Sequence, residues 1–558
     1  MTPSKIEGLP EGINPTKPPR NYKEATLRPD AEQWMEAYAK EYQGIMDRKA
    51  VELVMPPPGT KILGTTTRLE YKIDNGTFCK RKARMCVRGD QQVEGEDYFQ
   101  QDLYAPTLKA TEARLITAIA AQYGAKLVKT DCKQAFLYGD MDDGPPIYIK
   151  VPDWWPEPAP DGYALLLRKS IYGTKQAARK WHRCMSGWMT NKGYPAANSE
   201  QTVFIKWDGP DFIIHGLFVD DMQSASTSQK LMTEFLEAYG RDFEITGGDV
   251  MSTFLGLQVD HVDQEIHLHM DNYVEEILRE YKEYSRKTLR PKKLPCAPNH
   301  QLPRMPPLQA HEKEPPTTSF FRSFVMKLQY AATWVRFDIS FTVSQLASHM
   351  SSPGQPHWSA LHHLMEYLER YPSIRLEYRR GPRTGKELSA YVDSDWGTEI
   401  ETRKSVSGHV AMFGMSPISW RSKKQQTIAL SSAEAEYMAV SDFAKEILYL
   451  RSLLANLGFS QDGPTHVYED NTACIEWGNN VIGGRERAKH IDIRKHFAHE
   501  TIKNGHLTLK KVPTTLQLAD IMTKGVKQPQ WDMCMVGMLG KQPVPSIQPV
   551  VAQEGDDD

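Results

Sequence analysis

The sequence predicts an α+β multidomain protein, and three observations carry that prediction. The chain has 558 residues, which exceeds a single-domain core and suggests roughly three or four domains. Its charged fraction of 25% and apolar fraction of 40% are those of an ordinary globular protein. Stretches of β-type alternation are interleaved with stretches of helical spacing. No apolar run is long enough to span a bilayer, and the first residues lack the apolar core of a secretory signal. The seven cysteines (Cys79, Cys86, Cys132, Cys184, Cys296, Cys474, Cys534) form no CxxC pair, so neither a zinc ribbon nor a disulfide framework is expected. Reduced thiols fit a cytosolic or nuclear setting. The net charge of -2 places any nucleic-acid-binding charge in local patches.

Taken in order, residues 1–30 are rich in Pro, Lys and Glu and read as a flexible leader. Ala31 to Asp47 has helical spacing, with Trp34, Met35, Ala37, Tyr38 and Tyr42 on its apolar side. Ile62 to Gly89 alternates β-formers around Asp74-Asn75-Gly76, a hairpin signal. Its second strand is dense in charge, and alternation puts Lys80, Lys82, Arg84 and Arg88 on one face. A solvated edge strand protected by its charges is the competing reading. Ala105 to Tyr123 has a helical pattern, and Lys126 to Asp131 is an apolar strand ending in an acid. Asp142 to Pro160, with Trp154 and Trp155, is a loop.

Ile213 to Ser226 reads as a β-hairpin with Asp220 and Asp221 at or near its tip. Two adjacent like charges repel, and a divalent cation removes that cost. A solvated turn is the bland alternative. Asp131, at its own strand end, is the third carboxylate that shifts the balance toward metal.

Farther on, Tyr273 to Tyr284, Ser319 to Tyr330 and Phe337 to Met350 have helical patterns, and Lys287 to Pro316 is a Pro-rich basic linker. Leu388 to Asp393 is a strand ending in an acid. Ser431 to Leu450 is a helix with Ser431 or Ser432 as N-cap. Thr465 to Asp470 is a second acid-ended strand, and Gln517 to Asp520 opens the last helix. His490, His496 and His499 lie in an Arg- and Lys-rich segment with no fourth zinc ligand in sight, so a substrate-facing basic surface is expected there. Residues 528–558 read as a disordered acidic tail.

In this order, KTDCKQAFLYGD (129–140), SIYGTKQAARKW (170–181) and FVDDM (218–222) resemble the reverse transcriptase of copia-type LTR retrotransposons. YVDSDW (391–396), the SSAEAEYMA segment (431–439), VYEDNTA (467–473), KHIDIRKHF (489–497) and VPTTLQLADIMTK (512–524) resemble the RNase H domain of the same family. The resemblance runs from roughly Trp34 to Lys524. It implies a right-hand polymerase of fingers, palm and thumb, followed by an RNase H-like α/β domain. The expected division is residues 31–260 for fingers and palm, 261–386 for thumb and connection, and 387–527 for the RNase H-like domain.

The resemblance also implies roles. Asp131, Asp220 and Asp221 would hold the polymerase metals. Lys82 and Arg84 would face nucleotide and template, with Lys72 and Lys80 behind them. Phe136 would be the steric gate against a 2′-OH, although a core phenylalanine is the commoner fate of such a residue. Gln134 and Ala135 would offer backbone N–H groups to the triphosphate. Tyr172 and Gly173 would lie beneath base and sugar. Thr174 and Ala178 depart from the family's Leu and Pro. Asp393, Glu436, Asp470 and Asp520 would be the four RNase H carboxylates and metal ligands, with Asp395 and Glu434 as near neighbours. The implied cofactor is Mg²⁺, or Mn²⁺ in its place, acting in pairs at each site. The implied partners are an RNA template, a DNA primer, dNTPs and the RNA–DNA hybrid, with integrase and capsid proteins of the same element beside them. The implied location is cytoplasmic, in a virus-like particle, or nuclear. The rival readings are an inactive relic, a host-adopted nucleic-acid-binding protein, or a metal-dependent nuclease without polymerase activity. No protease D-[ST]-G, integrase zinc site or zinc knuckle occurs, so a gene-model fragment or a processed portion of a longer polyprotein is expected.

Overall fold

A computed structural model describes residues 13–14, 17–74, 77–141, 143–305, 316–381, 387–397, 399, 401–479 and 489–539. The turn residues Asn75 and Gly76, the side chain of His490, residues 1–12 and 15–16 of the leader and the acidic end of the tail lie outside these. So does 306–315 of the linker. Among the described residues no helix is long and apolar enough to cross a membrane.

The expected N-terminal helix forms over Ala31–Asp47. Its buried Trp34 meets Tyr71 edge-on, with ring centroids 5.2 Å apart. Tyr71 belongs to a two-stranded ribbon, Thr65–Asp74 paired antiparallel with Thr77–Val87. The leader is shorter than residues 1–30. Tyr22–Thr26 is a helical turn capped by the Asn21 side chain. Asp30 is buried, at 2.8 Å from Arg81 Nε and 2.9 Å from the Tyr71 hydroxyl. A charge so placed needs its partner, so the chain is ordered well before Ala31. Arg81 therefore faces the helix, whereas Lys82 and Arg84 face the other way.

The acid-bearing sheet is antiparallel throughout. Its strands lie in the order Ile245–Val250, Lys126–Cys132, Asp221–Ser226, Asp211–Phe218, Val203–Asp208. The hairpin is the one expected, and its register sets Asp221 opposite Asp131. The helix before this sheet is Ala110–Tyr123, not Ala105–Tyr123. Pro106 disfavours helical geometry at Ala105, and Leu108 N–H instead donates to Leu217 O at 3.0 Å.

A four-stranded sheet follows, in the order Thr253–Phe254, Leu257–Val262, Glu265–His269, Leu376–Tyr378. The expected boundary at residue 260 falls inside one of its strands, so the division there is not a linker. Helices Asp271–Ser285, Pro316–Trp334, Ser340–Ala347 and Gln355–Arg370 pack beside it. Between them Arg336 and Asp338 form a buried pair at 2.8 Å, to which Tyr367 adds a hydrogen bond.

The C-terminal sheet is mixed. Ser416–Lys424, Val406–Phe413 and Leu388–Asp395 are antiparallel neighbours; Thr465–Glu469 and Leu507–Lys511 continue the sheet in parallel. In chain order this is 3-2-1-4-5, the RNase H-like α/β topology. The architecture is thus of the expected α+β multidomain class. The long helix Ser432–Asn456 lies against the sheet, N-capped by Ser431. The last helix is two pieces, Asp520–Thr523 and Gln528–Met538. The second buries Trp531, Cys534 and Met538, so 528–538 belongs to the folded body and not to the tail. That apolar burial outweighs the cost of ordering the segment.

The acid-bearing antiparallel sheet, the helices after it and the C-terminal mixed sheet share one hydrophobic core, running from Leu108 through Trp334 and Leu364 to Met538. At its centre Arg114 is fully buried. It donates to Ile418 O (2.8 Å), Thr333 O (2.6 Å) and Trp334 O (3.0 Å) and stacks 3.9 Å over the Trp420 ring. Burial lowers its pKa to about 10. Trp420 Nε1 donates to Ala332 O at 2.8 Å, Asn456 Nδ2 to Ala197 O at 2.9 Å, and the Tyr449 hydroxyl to Glu112.

Asp30 supplies a test. Burial pushes its carboxyl up, but the hydrogen bonds from Arg81 and Tyr71 outweigh that and hold it below the usual value. A depressed carboxylate stabilises the fold above the unfolded-state pKa, and the benefit is lost as pH falls through the folded value. Asp30→Ala is expected to cost about 3 kcal/mol at neutral pH in denaturant unfolding. The gap from wild type should narrow as the medium is acidified below pH ~4.

Candidate active sites

The first site forms where the Lys126–Cys132 strand end meets the hairpin turn. Val219 and Asp220 are the two turn residues between paired Phe218 and Asp221. Val219 has φ +54, a strained value for a β-branched residue. It is held by Trp181 Nε1, which donates to Val219 O at 2.6 Å, while Cys132 N–H takes Asp220 O at 2.9 Å. These bonds fix the turn and aim Asp220 toward Asp131. Burial raises the Asp220 pKa, and the charges of Asp131 and Asp221 raise it further. Asp221 is partly neutralised by Lys129 Nζ at 2.9 Å. Asp131 accepts from the Thr246 hydroxyl at 3.4 Å. Among the described residues, Asp131, Asp220 and Asp221 do not all come within 4.8 Å of one another.

The basic ribbon reaches this place. Lys82 is held below its usual pKa by burial and by neighbouring Arg84, and it feels the charges of Asp131 and Asp220. Arg84 pairs with Glu70 at 3.2 Å and sits 5.3 Å over the Tyr172 ring. Lys72 and Lys80 are cross-strand partners exposed farther out, and Arg88 pairs with Asp90 beyond the strand end. Phe136 lies 5.0 Å from Tyr172 ring to ring, and its carbonyl accepts from Ser170 Oγ at 2.5 Å. Phe136, Tyr172 and Arg84 thus pack together, and Tyr172 lies within the field of Asp220. The Ala135 side chain is buried, so only its backbone could meet a ligand. Gln134 has φ +51 and spends its side chain on Arg48 (2.9 Å) and Glu41 (2.9 Å). Gly173 has a role the sequence did not reveal. With φ +92 it lies so near the ribbon that a Cβ would come 2.2 Å from Val87 O, and Val87 N–H donates to Tyr172 O at 2.8 Å.

The second site is more fully assembled. Parallel pairing sets Tyr391 beside Tyr468, which carries Asp393 and Asp470 out together. Glu436 comes from the second turn of the Ser432–Asn456 helix. One ligand oxygen each from Asp393, Glu436 and Asp470 lie within 4.8 Å of one another. Asp393 and Glu436 are buried, and Asp470 is half-buried. Glu434 turns back to accept from Leu430 N–H at 2.6 Å, which leaves Glu436 as the inward acid. Asp520 joins through Lys524, whose Nζ is 2.9 Å from Asp520 Oδ1 and 3.5 Å from Asp393 Oδ2. The Thr523 hydroxyl also donates to Asp393. Burial and the Asp393 charge push Asp520 up to about 7.

Three residues of this site were not foreseen: Glu469, Thr523 and Lys524. Glu469 is fully buried and shares the field of Asp393 and Asp470; burial raises its pKa strongly. Adjacency to Asp470 and the i,i+4 step from Asp520 to Lys524 were the available signals. Glu436 Oε2 and Glu469 Oε2 are buried with no hydrogen-bond partner. Crowded acids with orphaned oxygens fit a hard divalent cation such as Mg²⁺ or Mn²⁺. His496 and His499 belong to no cluster of metal ligands among the described residues.

The chain resembles known proteins over most of its length. Residues 48–290 match the family of reverse transcriptase (RNA-dependent DNA polymerase). The chain is 29% identical over 533 residues to the retrovirus-related Pol polyprotein from transposon TNT 1-94 of Nicotiana tabacum, covering 94% of this chain and 39% of that protein. It is 30% identical over 495 residues to the Pol polyprotein from transposon RE2 of Arabidopsis thaliana, covering 88% of this chain and 33% of that protein. The chain thus spans between a third and two fifths of these relatives. A foamy viral protease-reverse transcriptase solved with an RNA/DNA hybrid matches with a TM-score of 0.44 and 11% identity, covering 89% of this chain and 56% of that one.

The Gly173 approach can be tested apart from any activity. Gly173→Ala forces a side chain against backbone at positive φ. It is expected to cost about 2–4 kcal/mol in urea unfolding, whereas Gly162→Ala, with open space around it, should cost about 1 kcal/mol.

Proposed function

We propose that this chain, which belongs to the reverse transcriptases of copia-type retrotransposons, is an RNA-directed DNA polymerase that also degrades the RNA of an RNA–DNA hybrid. One observation carries the reading. The strand-end Asp131 and the hairpin Asp220 converge beside Lys82 of the basic ribbon, all inside the segment that matches the family. In this reading the ribbon and N-terminal helix are the fingers, the acid-bearing sheet is the palm, and the helices after Asp271 are thumb and connection.

Divalent ions bound at Asp131 and Asp220 would supply activation of the primer 3′-OH and stabilisation of the leaving pyrophosphate. The chain's own residues do the rest. Lys82 and Arg84 hold the triphosphate and template phosphates. Phe136, braced by Tyr172 and by Ser170 on its carbonyl, blocks a 2′-OH. Lys129 balances Asp221, so Asp131 and Asp220 are the direct ligands. At the second site Asp393, Glu436, Asp470 and Asp520 would hold the ions that activate water against an RNA phosphodiester. RNA selectivity there rests on contacts to the 2′-OH. The natural substrates are element RNA, a DNA primer and dNTPs; integrase and capsid proteins of the element are the proposed partners, in a cytoplasmic particle or in the nucleus.

Primer extension on an RNA template with Mg²⁺ or Mn²⁺ is the decisive test. Asp220→Asn should lower extension by about 10³-fold or more, since a metal ligand contributes several kcal/mol to the transition state. A folded, template-binding wild type that extends nothing would support the relic or adopted-binder reading. Phe136→Val should raise ribonucleotide incorporation about 10–100-fold relative to deoxynucleotide, the range one pocket contact commands. Asp393→Asn should abolish hybrid cleavage, read with 5′-labelled RNA, while extension on the same preparation is retained.

A further inference from the structure

We propose that the Lys524 ammonium is a built-in counter-cation of the nuclease acid cluster: it occupies one cation position there and must be displaced before a divalent ion binds at Asp393 and Asp520. The inference rests on the nuclease reading of that cluster. Lys524 Nζ bridges Asp520 Oδ1 at 2.9 Å and Asp393 Oδ2 at 3.5 Å, and both carboxylates are almost wholly buried. Its charge also acts on Glu436 and Asp395. A lysine placed between two ligand oxygens is where a metal bridging the same oxygens would stand.

The position is built. Lys524 follows the four-residue helix Asp520–Thr523 directly, and its N–H still donates to Asp520 O at 3.1 Å. Gly525, next in the chain, lies so near Ala297 O that a Cβ would come within 2.4 Å, which pins the backbone under the site. The side chain is about 30% exposed, so the ammonium has a path to water when a stronger cation arrives. Lys524 covers only the Asp393–Asp520 side. Glu436 Oε2 and Glu469 Oε2 stay without a partner, so the remaining position is open to a divalent ion. The cluster therefore takes its first divalent ion more readily than its second, and Lys524 sets the threshold for the second.

The test measures Mn²⁺ binding by electron paramagnetic resonance and calorimetry in the full chain, with Asp131→Asn and Asp220→Asn together to take the polymerase ligand pair out of the count. K524M should bind the second Mn²⁺ about tenfold more tightly, because one competing positive charge is gone; K524R should keep the weak wild-type affinity. Equal or weaker binding by a folded K524M overturns the proposal. A measurement on the unmutated Lys524 decides the matter if K524M does not fold. Acetylation of the Lys524 amine, read by mass spectrometry, should be slow without metal and rise as Mn²⁺ fills the site. Acetylation unchanged across a saturating titration overturns the proposal. Mn²⁺ binding of the predicted kind without hybrid cleavage would sink the nuclease reading and leave the lysine inference standing.

Discussion

A single buried guanidinium holds this molecule together. Arg114 stands on the helix behind the acid-bearing sheet, yet its hydrogen bonds go to the end of a later helix (Thr333, Trp334) and to a strand of the RNase H-like sheet (Ile418). Trp420 stacks on it and donates to Ala332, which closes the ring of contacts. Burying an unpaired cation is costly. Three carbonyl acceptors and an aromatic face offset that cost only while all three parts are in place. The joint therefore enforces one relative placement of two acid-bearing sheets, and a continuous hydrophobic core runs through it. The two acid clusters therefore sit on one continuous frame.

Both sites solve the same electrostatic problem with different local means. Carboxylates gathered in one place repel one another unless a cation lies among them. At the hairpin the relief is partial and comes from Lys129 and Lys82, one on a neighbouring strand and one on the basic ribbon. At the RNase H-like sheet the acids are deeper, and the relief comes from Lys524 and the Thr523 hydroxyl. The deeper site has the larger upward shifts, at Glu436, Glu469 and Asp520, because burial removes the water that would screen the repulsion. Strain is also spent locally. Val219 accepts a left-handed backbone because Trp181 and Cys132 hold the turn that presents Asp220.

Much of this was legible from local pattern. The Ala31–Asp47 helix, the ribbon, the acid hairpin and the Ser431-capped helix all follow periodicity and capping, which act over a few residues. The misplaced elements failed for reasons outside their own windows. Pro106 delays the helix to Ala110. Asp30 is ordered by Arg81, 51 residues away. Residues 528–538 look like the start of a polar tail, but Trp531 finds Tyr367, ring centroids 5.9 Å apart. The boundary at 260 came with the family resemblance, yet strand pairing carries the chain across it.

The sequence by itself determined the elements, the order of the acids and the family they resemble, because strand-end and helix-face positions are set by short-range geometry. Helix periodicity set Glu434 and Glu436 apart, and the family-like E-Y-M-A continuation singled out Glu436. Only the tertiary structure decided which charges meet. It brought Lys82 to Asp131 and Asp220, gave Gly173 its close backbone approach, added Glu469 to the second cluster and set Lys524 between Asp393 and Asp520. It alone revealed that Arg114 joins the parts. Such pairings depend on distances across the fold, which residue type and spacing do not encode; the favourable energy of a buried charge exists only once its partner has arrived.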